Sequence, residues 1–242
     1  PFVTVVTDMV SLHPVWICPE VTACMVPTEP ARELAIKFGM APEKVTVLGQ
    51  PVGLKFAELT QDKHALRARL GLQTNRHTVL VVGGGEGMGR VFDIARPVAQ
   101  QAPPAQLLVV AGRNQQLRQR LEAVHWEIPT QVFGFVDNMP ELMGAADLLV
   151  TKAGPGTISE AFIAGLPPIL SGYIPGQETG NVDYVRYNGA GAYAEKPQEI
   201  ARLVQELTEP NNAKLQRMTQ NAARLARPEA SLQIATHICR LA

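Results

Sequence analysis

The 242-residue sequence lacks several features that would place it in a specialised class of protein. Basic and acidic residues both number 22, so the chain carries no net charge that could hold nucleic acid. No apolar run approaches the roughly 20 residues that a membrane-spanning helix needs. The three cysteines fit neither a disulfide framework nor a zinc site, which indicates a reducing compartment. We therefore expect no nucleic-acid partner and no metal.

The sequence does contain short apolar runs that alternate with amphipathic segments. The runs predict strands at residues 2–7, 23–26, 45–48, 78–82, 106–110, 131–133, 147–150 and 168–170, with a short last strand within 191–194. Most of them are apolar on both faces, as buried parallel strands are. Because helical patterns separate the strands, the sequence predicts an α/β fold with parallel sheets and right-handed crossovers.

The chain divides into unequal parts at Gly49-Gln50-Pro51-Val52-Gly53, a composition suited to a hinge. We expect residues 1–55 to be the last part of one domain, residues 56–225 to form a complete domain, and residues 226–242 to form a helix that could pack back on the first. The chain begins with Pro1 on a β-type run and has no initiator methionine. We therefore expect a fragment whose upstream sequence is missing.

The strongest local signal is Thr-Lys-Ala-Gly-Pro-Gly-Thr-Ile-Ser-Glu at residues 151–160. It predicts a strand that ends near Thr151 and a helix that begins near Thr157. Free N–H groups and the helix dipole at such a turn attract phosphate. However, Thr157 and Glu160 also fit a capping box, which stabilises a helix without any ligand. The local pattern leaves both interpretations open.

A second turn, Gly-Gly-Gly-Glu-Gly-Met-Gly at residues 83–89, also follows a predicted strand. It is not the dinucleotide-binding pattern, because Met88 stands where the third glycine is required, and it has no Walker lysine. Three consecutive glycines indicate that a ligand or a neighbouring domain approaches the backbone closely.

A third loop, at residues 172–181, carries Gln177, Glu178 and Asn181, whose donors and acceptors suit sugar hydroxyls. A solvated loop with a helix cap would show the same spacing. Residues 112–114 and 134–138 follow two further strands of the predicted sheet. Because the carboxyl ends of parallel strands share one edge, the five loops together predict a ligand cleft.

Together these segments resemble the monogalactosyldiacylglycerol synthases of glycosyltransferase family 28. The likeness rests on Val-Thr-Asp at residues 6–8 with His13-Pro14-x-Trp16, on the runs at 83–89, 112–114 and 151–157, and on Gly172-Tyr173-Ile174 with Gln177-Glu178-x-Gly180-Asn181. It continues in order along essentially the whole chain.

The resemblance implies a GT-B fold, with a complete C-terminal Rossmann-like domain and the last part of an N-terminal, acceptor-binding one. It implies an inverting hexosyltransferase that moves galactose from UDP-galactose to diacylglycerol in glycolipid synthesis, without a cofactor. A UDP-glucose-dependent diacylglycerol glucosyltransferase and a non-catalytic UDP-sugar-binding module remain alternatives. A UDP-sugar epimerase of similar fold is disfavoured, because no acid/base set of its own is visible.

The resemblance also implies residue roles. Phe135 and Val136 would face uracil, Glu160 the ribose and the turn at 154–157 the diphosphate. The full UDP-binding set would be Gly134, Phe135, Val136, Asp137, Asn138, Ala153, Gly154, Pro155, Gly156, Thr157, Ile158 and Glu160. Gln177, Glu178 and Asn181 would bind the sugar, and Gly84, Gly85 and Glu86 would line the gap between donor and acceptor.

By the same likeness, the catalytic base and the membrane-binding segments would lie upstream of Pro1, so this fragment alone would be inactive. The whole protein would bind peripherally to the reducing side of a bacterial plasma membrane or a plastid envelope. The chain departs from the family pattern Pro-Val-Arg-Pro-Ser-Phe after the hinge, where Gly53 replaces the arginine. Whether Lys55 supplies the missing cation is left open.

Overall fold

The computed structural model describes residues 1–58, 62–85, 90–102 and 104–241. The first unit is a three-stranded parallel sheet of β1 (Val3–Val5), β2 (Ala23–Val26) and β3 (Val45–Val47), in that order. Helix α1 (Glu29–Lys37) crosses from β2 to β3 and begins at Thr28, whose hydroxyl accepts the Ala31 N–H at 3.2 Å.

The second unit is a six-stranded parallel sheet with the order β6-β5-β4-β7-β8-β9. Its strands are β4 (His77–Val82), β5 (Ala105–Val110), β6 (Thr130–Phe133), β7 (Leu148–Thr151), β8 (Pro168–Leu170) and β9 (Ala192–Tyr193). Each strand predicted from the apolar runs is present. The strand order reverses between β4 and β7, the place where open α/β sheets bind ligands.

Helices cover both faces of this sheet and continue beyond it. They are α2 (Lys63–Arg69), α3 (Val91–Gln101), α4 (Gln115–Glu122), α5 (Met139–Ala145), α6 (Pro155–Ile163), α7 (Thr179–Tyr187), α8 (Pro197–Leu207), α9 (Ala213–Leu225) and α10 (Ala230–Leu241). Three short 3₁₀ turns, at Pro14–Trp16, Pro42–Lys44 and Leu54–Phe56, were not predicted, since three residues are too few to show a period. Within the described ranges, no helix is both long and apolar enough to cross a membrane.

The core explains why the central strands are apolar on both faces. Leu107 of β5 packs with α3 and α8 on one side of the sheet, and the next residue, Leu108, packs with α2, α5 and α6 on the other. Both side chains are fully buried. Burying one such side chain contributes about 1.5–3 kcal/mol, so the two-sided apolar pattern selects a sheet between two helical layers.

The two units meet at close contacts between backbone groups of one segment and serine side chains of another. Gly180, in the first turn of α7, donates its N–H to Ser11 Oγ at 3.0 Å, and a Cβ at Gly180 would lie 2.6 Å from that oxygen. Ser231, at the start of α10, hydrogen-bonds both the N–H and the carbonyl of Val52, at 3.0 and 2.6 Å. The last helix thus contacts the hinge segment. The division at residues 55 and 225 stays a prediction.

Asp147, immediately before β7, is the centre of an ionic cluster at the amino edge of the sheet. Its carboxylate contacts Arg67 and accepts from Lys63 Nζ at 3.0 Å and from the Thr78 N–H at 2.8 Å, with His77 Nδ1 at 3.4 Å. Burial alone would raise the pKa of Asp147, but the His77 hydrogen bond and the two cations outweigh it. They hold the pKa well below its usual value.

We predict that Asp147→Asn lowers the free energy of unfolding by about 3 kcal/mol at neutral pH, because it leaves the buried Arg67 without a counter-charge. Urea unfolding followed by circular dichroism measures this. The folded-state pKa of Asp147 lies below its unfolded value of about 3.9, so its stabilisation is complete above that value and is lost as the pH falls. The difference between the two proteins should therefore narrow from about pH 5 to about pH 3.

Asp93→Asn is the matched control, because Asp93 is half exposed and pairs with Arg90 at 3.8 Å on the surface. Its loss should cost less than about 1 kcal/mol. Equal losses in the two variants would contradict a dominant role for the Asp147 cluster.

Candidate functional site

The site lies at the carboxyl edge of the large sheet, where the loops after β4 and β5 touch. Arg113 donates its N–H to the carbonyl of Gly85 at 2.9 Å. Gly112 has φ +60°, and a Cβ there would come within 2.4 Å of the same carbonyl oxygen. Only glycine fits this approach, so the glycines of the two loops bring the loops together.

A pocket of about 250 Å³ opens beside this contact, on both sides of the point where the strand order reverses. The predicted site residues that line it come from the loops after β4, β6 and β7, and they are Gly84, Gly85, Phe135, Val136, Thr157 and Glu160. The predicted cleft residue Glu86 lies outside the described residues. Folding therefore assembles one concave site from segments that are more than 70 positions apart in the sequence.

Helix α6 begins at Pro155, two residues earlier than predicted, with Gly154 as its N-cap. Thr157 is therefore the third residue of the helix, and the capping-box interpretation of Thr157 and Glu160 is wrong. Glycine offers no side chain to cap the helix, and within the described ranges nothing accepts the N–H groups of Gly156 and Thr157. The positive end of the helix dipole and the two free donors thus lie together at the start of α6, where Thr157 lines the pocket.

Glu160 reaches the pocket from the second turn of α6. Its side chain is half-buried and has no polar partner in the described part of the chain. Burial raises the pKa of this carboxyl to about 7. An unpartnered carboxyl in a partly apolar pocket is a strong acceptor for ligand hydroxyl groups.

The residues of the loop after β6 line two different surfaces. Phe135 is exposed at the rim of the pocket, and the Arg113 guanidinium lies over its ring at 4.3 Å from the ring centre. Asp137 and Asn138 instead line a separate shallow depression with Lys55, whose Nζ donates to the Asp137 carbonyl at 3.3 Å. Lys55 therefore holds the segment after the hinge against this loop.

The three residues predicted to bind sugar differ in accessibility. Glu178 is only 3% exposed, and its carboxylate accepts from Lys152 Nζ at 2.6 Å and from the Ile174 N–H at 2.9 Å. Asn181 is buried and donates to the Ala153 carbonyl at 2.9 Å, which braces the turn before α6. Gln177 is exposed in a second cleft of about 610 Å³, where its amide lies 3.5 Å from Asp8 Oδ1. Of the three residues, only Gln177 has an exposed side chain.

Lys152 was not predicted as a site residue. Its ammonium would lie 3.1 Å from a Cβ at Gly154, so a cation stands beside the N-terminus of α6. The position of this lysine immediately before the Ala-Gly-Pro-Gly turn could have marked it as a site residue. Only the structure shows that Glu178 orients the Lys152 ammonium.

Ala153 and Ile158, both predicted to contact UDP, have fully buried side chains in the core against α7. They can meet a ligand only through their backbone atoms. Among the described residues, no group of three or more histidine, cysteine, aspartate or glutamate side chains could hold a metal ion.

Comparison with known families was informative over most of the chain. The profile of the Glycosyltransferase family 28 C-terminal domain matches residues 78–234, and that of monogalactosyldiacylglycerol (MGDG) synthase matches residues 1–52. The probable monogalactosyldiacylglycerol synthase, chloroplastic, of Glycine max is 45% identical over 240 residues, which are 96% of this chain and 45% of that protein. Monogalactosyldiacylglycerol synthase 1, chloroplastic, of Arabidopsis thaliana is 44% identical over the same shares. The chain spans about half the length of the curated relatives it matches.

Two solved structures share the fold at low sequence identity. HepE of Anabaena, in complex with UDP, is 19% identical with a TM-score of 0.63, over 99% of this chain and 72% of that one. MurG of Acinetobacter baumannii is 18% identical with a TM-score of 0.72, over 99% and 68%. The predicted α/β fold of the GT-B type is confirmed, as is the resemblance to monogalactosyldiacylglycerol synthases: the chain belongs to glycosyltransferase family 28.

Proposed function

We propose that this chain forms the donor-binding part of an inverting hexosyltransferase that moves galactose from UDP-galactose to diacylglycerol. The observation that carries the proposal is the uncapped N-terminus of α6, which shares a pocket with the unpartnered carboxyl of Glu160. A nucleoside diphosphate combines the anion and the hydroxyl groups that these two features would bind.

The diphosphate would accept hydrogen bonds from the N–H groups of Gly156 and Thr157, with the Lys152 ammonium beside it. As the sugar leaves, negative charge develops on UDP. Donors already fixed in position can stabilise that charge without reorganising. Glu178 supports this arrangement indirectly, because its buried carboxylate holds Lys152 in place.

The nucleoside would lie across the pocket, with its ribose hydroxyls on Glu160 and its base against Val136 and the rim residue Phe135. Arg113, stacked on the outer side of Phe135, would stiffen this rim through a cation–π contact. Asp137 and Asn138 would shape the loop from outside the pocket rather than contact UDP through their side chains.

The sugar would extend toward the second cleft, where Gln177 faces Asp8 and His13 of the first unit. There an acceptor hydroxyl could approach the anomeric carbon from the side opposite UDP, as inversion requires. We assign the base that deprotonates this hydroxyl to the acceptor-binding domain. The relatives are named as chloroplastic synthases of a glycolipid, which supports diacylglycerol as the acceptor and a membrane surface as the place of action.

Calorimetric titration of the chain with UDP, UDP-galactose, UDP-glucose and, as a control, ADP tests the donor site. We expect saturable binding of the three uridine compounds, tightest for UDP-galactose, in the presence of a metal chelator, and none of ADP. Tighter binding of UDP-glucose would favour the glucosyltransferase alternative. No binding of any uridine compound would reject the proposal.

We predict that Glu160→Gln weakens UDP-galactose binding about tenfold at slightly alkaline pH, because hydrogen bonds to an ionised carboxylate are lost. Ribose hydroxyls favour the carboxylate, so binding to the unmodified chain should tighten as the pH rises through about 7, and the variant should lose this dependence. Calorimetry at several pH values measures both effects.

The same substitution distinguishes binding from a structural role. The folded-state pKa of Glu160 is raised, so ionisation costs the folded chain stability as the pH rises from about 4.5 through 7. Glu160→Gln should therefore melt at the same or a higher temperature than the unmodified chain in alkaline buffer. A large loss of stability with intact nucleotide binding would contradict the assignment. Glu199→Gln, on the exposed face of α8, is the control.

We predict different results for the two neighbouring residues Gln177 and Glu178. Gln177→Ala should weaken binding of UDP-galactose but leave UDP binding unchanged, because this exposed amide would meet only the sugar. Glu178→Gln should weaken binding of both, because it removes the charge that orients Lys152. Titrations of each variant with UDP and with UDP-galactose measure the change in affinity for each ligand. Gln205→Ala on α8 is the control. Equal loss of both ligands for Gln177→Ala would refute its sugar-binding role.

A further inference from the structure

The cleft of about 610 Å³ at Gln177 lies between the two units, and each unit forms one of its walls. Among the described residues, the second unit contributes Gly176 and Gln177. The first unit contributes the carboxyl end of β1 and the loop that follows it, with residues 4–8, 11, 13 and 16. Most of the polar side chains that line this cleft therefore belong to the first unit.

A hexose in this cleft would need more hydrogen-bond partners than Gln177 alone can supply. Of the three residues predicted to bind the sugar, Glu178 and Asn181 are buried and already engaged with Lys152 and Ala153. A hexosyl group carries several hydroxyl groups, each of which can both donate and accept. The further partners are available on the facing wall of the cleft.

Asp8 is the residue of that wall that contacts Gln177. The Gln177 amide donates to Asp8 Oδ1 at 3.5 Å, which is long for a hydrogen bond, and Asp8 Oδ2 has no donor in the described part of the chain. A sugar hydroxyl between the two side chains could donate to the carboxylate and accept from the amide. Hydrogen bonds to a carboxylate are stronger than those between neutral groups, so Asp8 is the better acceptor of the pair.

His13 offers a donor to the same cleft. Its Nδ1 accepts the Val15 N–H at 3.2 Å and so caps the short turn Pro14–Trp16. A ring nitrogen that accepts carries no proton, so the proton of this imidazole lies on Nε2. The residue is exposed in the cleft, and its Nε2 has no acceptor within the described ranges. His13 is thereby arranged to donate to a ligand oxygen and not to take a proton from one at Nε2.

The loop of residues 8–13 is held in place before any ligand binds. The Thr28 hydroxyl, which also caps α1, donates to the Met9 carbonyl at 2.6 Å. The Gly180 N–H of α7 donates to Ser11 Oγ at 3.0 Å and fixes the loop against the second unit. Partners that are already in position lose little conformational entropy when a ligand binds.

We propose that Asp8 and His13 of the first unit complete the site for the donor hexose. Asp8 accepts from one sugar hydroxyl, and His13 donates to another through Nε2. This role rests on the proposed function, since it takes the ligand to be a UDP-hexose. The sugar then lies between the two units, so the first unit contributes to the choice of sugar while the second binds UDP.

Titration calorimetry of the chain with UDP and with UDP-galactose tests the role of Asp8, because only the second ligand carries the sugar. Asp8→Asn keeps the shape of the side chain and removes the carboxylate. It should weaken UDP-galactose binding about tenfold and change UDP binding by less than about twofold. Glu33→Gln, at an exposed carboxylate on α1 of the same unit, is the control and should alter neither affinity. Unchanged binding of UDP-galactose by Asp8→Asn, or an equal loss of both ligands, would overturn its role.

Two substitutions of His13 separate the Nε2 donor from the cap of the turn. His13→Asn keeps an oxygen that can accept the Val15 N–H but is too short to reach the position of Nε2. It should leave the melting temperature nearly unchanged and weaken UDP-galactose binding about tenfold, with UDP binding intact. His13→Gln reaches that position with an N–H donor and should restore most of the affinity, even where loss of the cap lowers the melting temperature. Equal losses in the two variants, or no loss in His13→Asn, would contradict the assignment.

Binding of UDP to the unmodified chain distinguishes a failure of these roles from a failure of the proposed function. If the chain binds UDP and the variants leave the affinity for UDP-galactose unchanged, only the roles of Asp8 and His13 are wrong. If the unmodified chain binds neither ligand, the proposed function is wrong, and the two roles fail with it.

Discussion

The candidate site depends above all on the uncapped N-terminus of helix α6. The central strand β7 ends at the point where the strand order reverses. Gly154 is the N-cap of the helix that follows, and it has no side chain to accept from the first N–H groups. Free donors at a helix start are unfavourable unless solvent or a ligand accepts from them. An anion satisfies them and also meets the positive end of the helix dipole. Lys152 and Asn181 are both arranged around this turn, the first beside it and the second bracing Ala153 from below.

Helix α6 also connects the two halves of the structure. One face carries Glu160 into the nucleotide pocket, while the opposite face carries Phe162 toward the first unit. The next helix, α7, approaches that unit so closely that only glycine fits at position 180. The backbone of α7 thereby lies directly against the Val10 and Ser11 side chains of the first unit.

Much of the fold could be predicted because strands that are buried on both faces are continuously apolar, and such runs are easy to recognise in a sequence. Continuous runs such as residues 106–110 have few alternatives to a central parallel strand. The loops were predicted to converge because the carboxyl ends of parallel strands lie at one edge of the sheet. In the structure, one pocket is lined by Phe135, Val136, Thr157 and Glu160. The start of α6 was misplaced by two residues because Pro155 was not taken as a first helical residue, the position that proline favours. The capping-box alternative depended on that start and failed with it.

The amino-acid sequence by itself determined the α/β class, the order of strands and helices, the family, and the glycine turns at which a ligand can approach the backbone. These properties depend on local pattern and on residue types that only one backbone geometry tolerates. Only the tertiary structure decided which polar groups are already engaged. Glu178 and Gln177 are neighbours with similar chemistry, yet folding buries the first against Lys152 and leaves the second in the cleft. Folding likewise left the side-chain oxygens Gln50 Oε1 and Asn181 Oδ1 buried without a hydrogen-bond donor in the described part of the chain. Partners that lie far apart in the chain are set by packing between elements, and no local pattern encodes that packing.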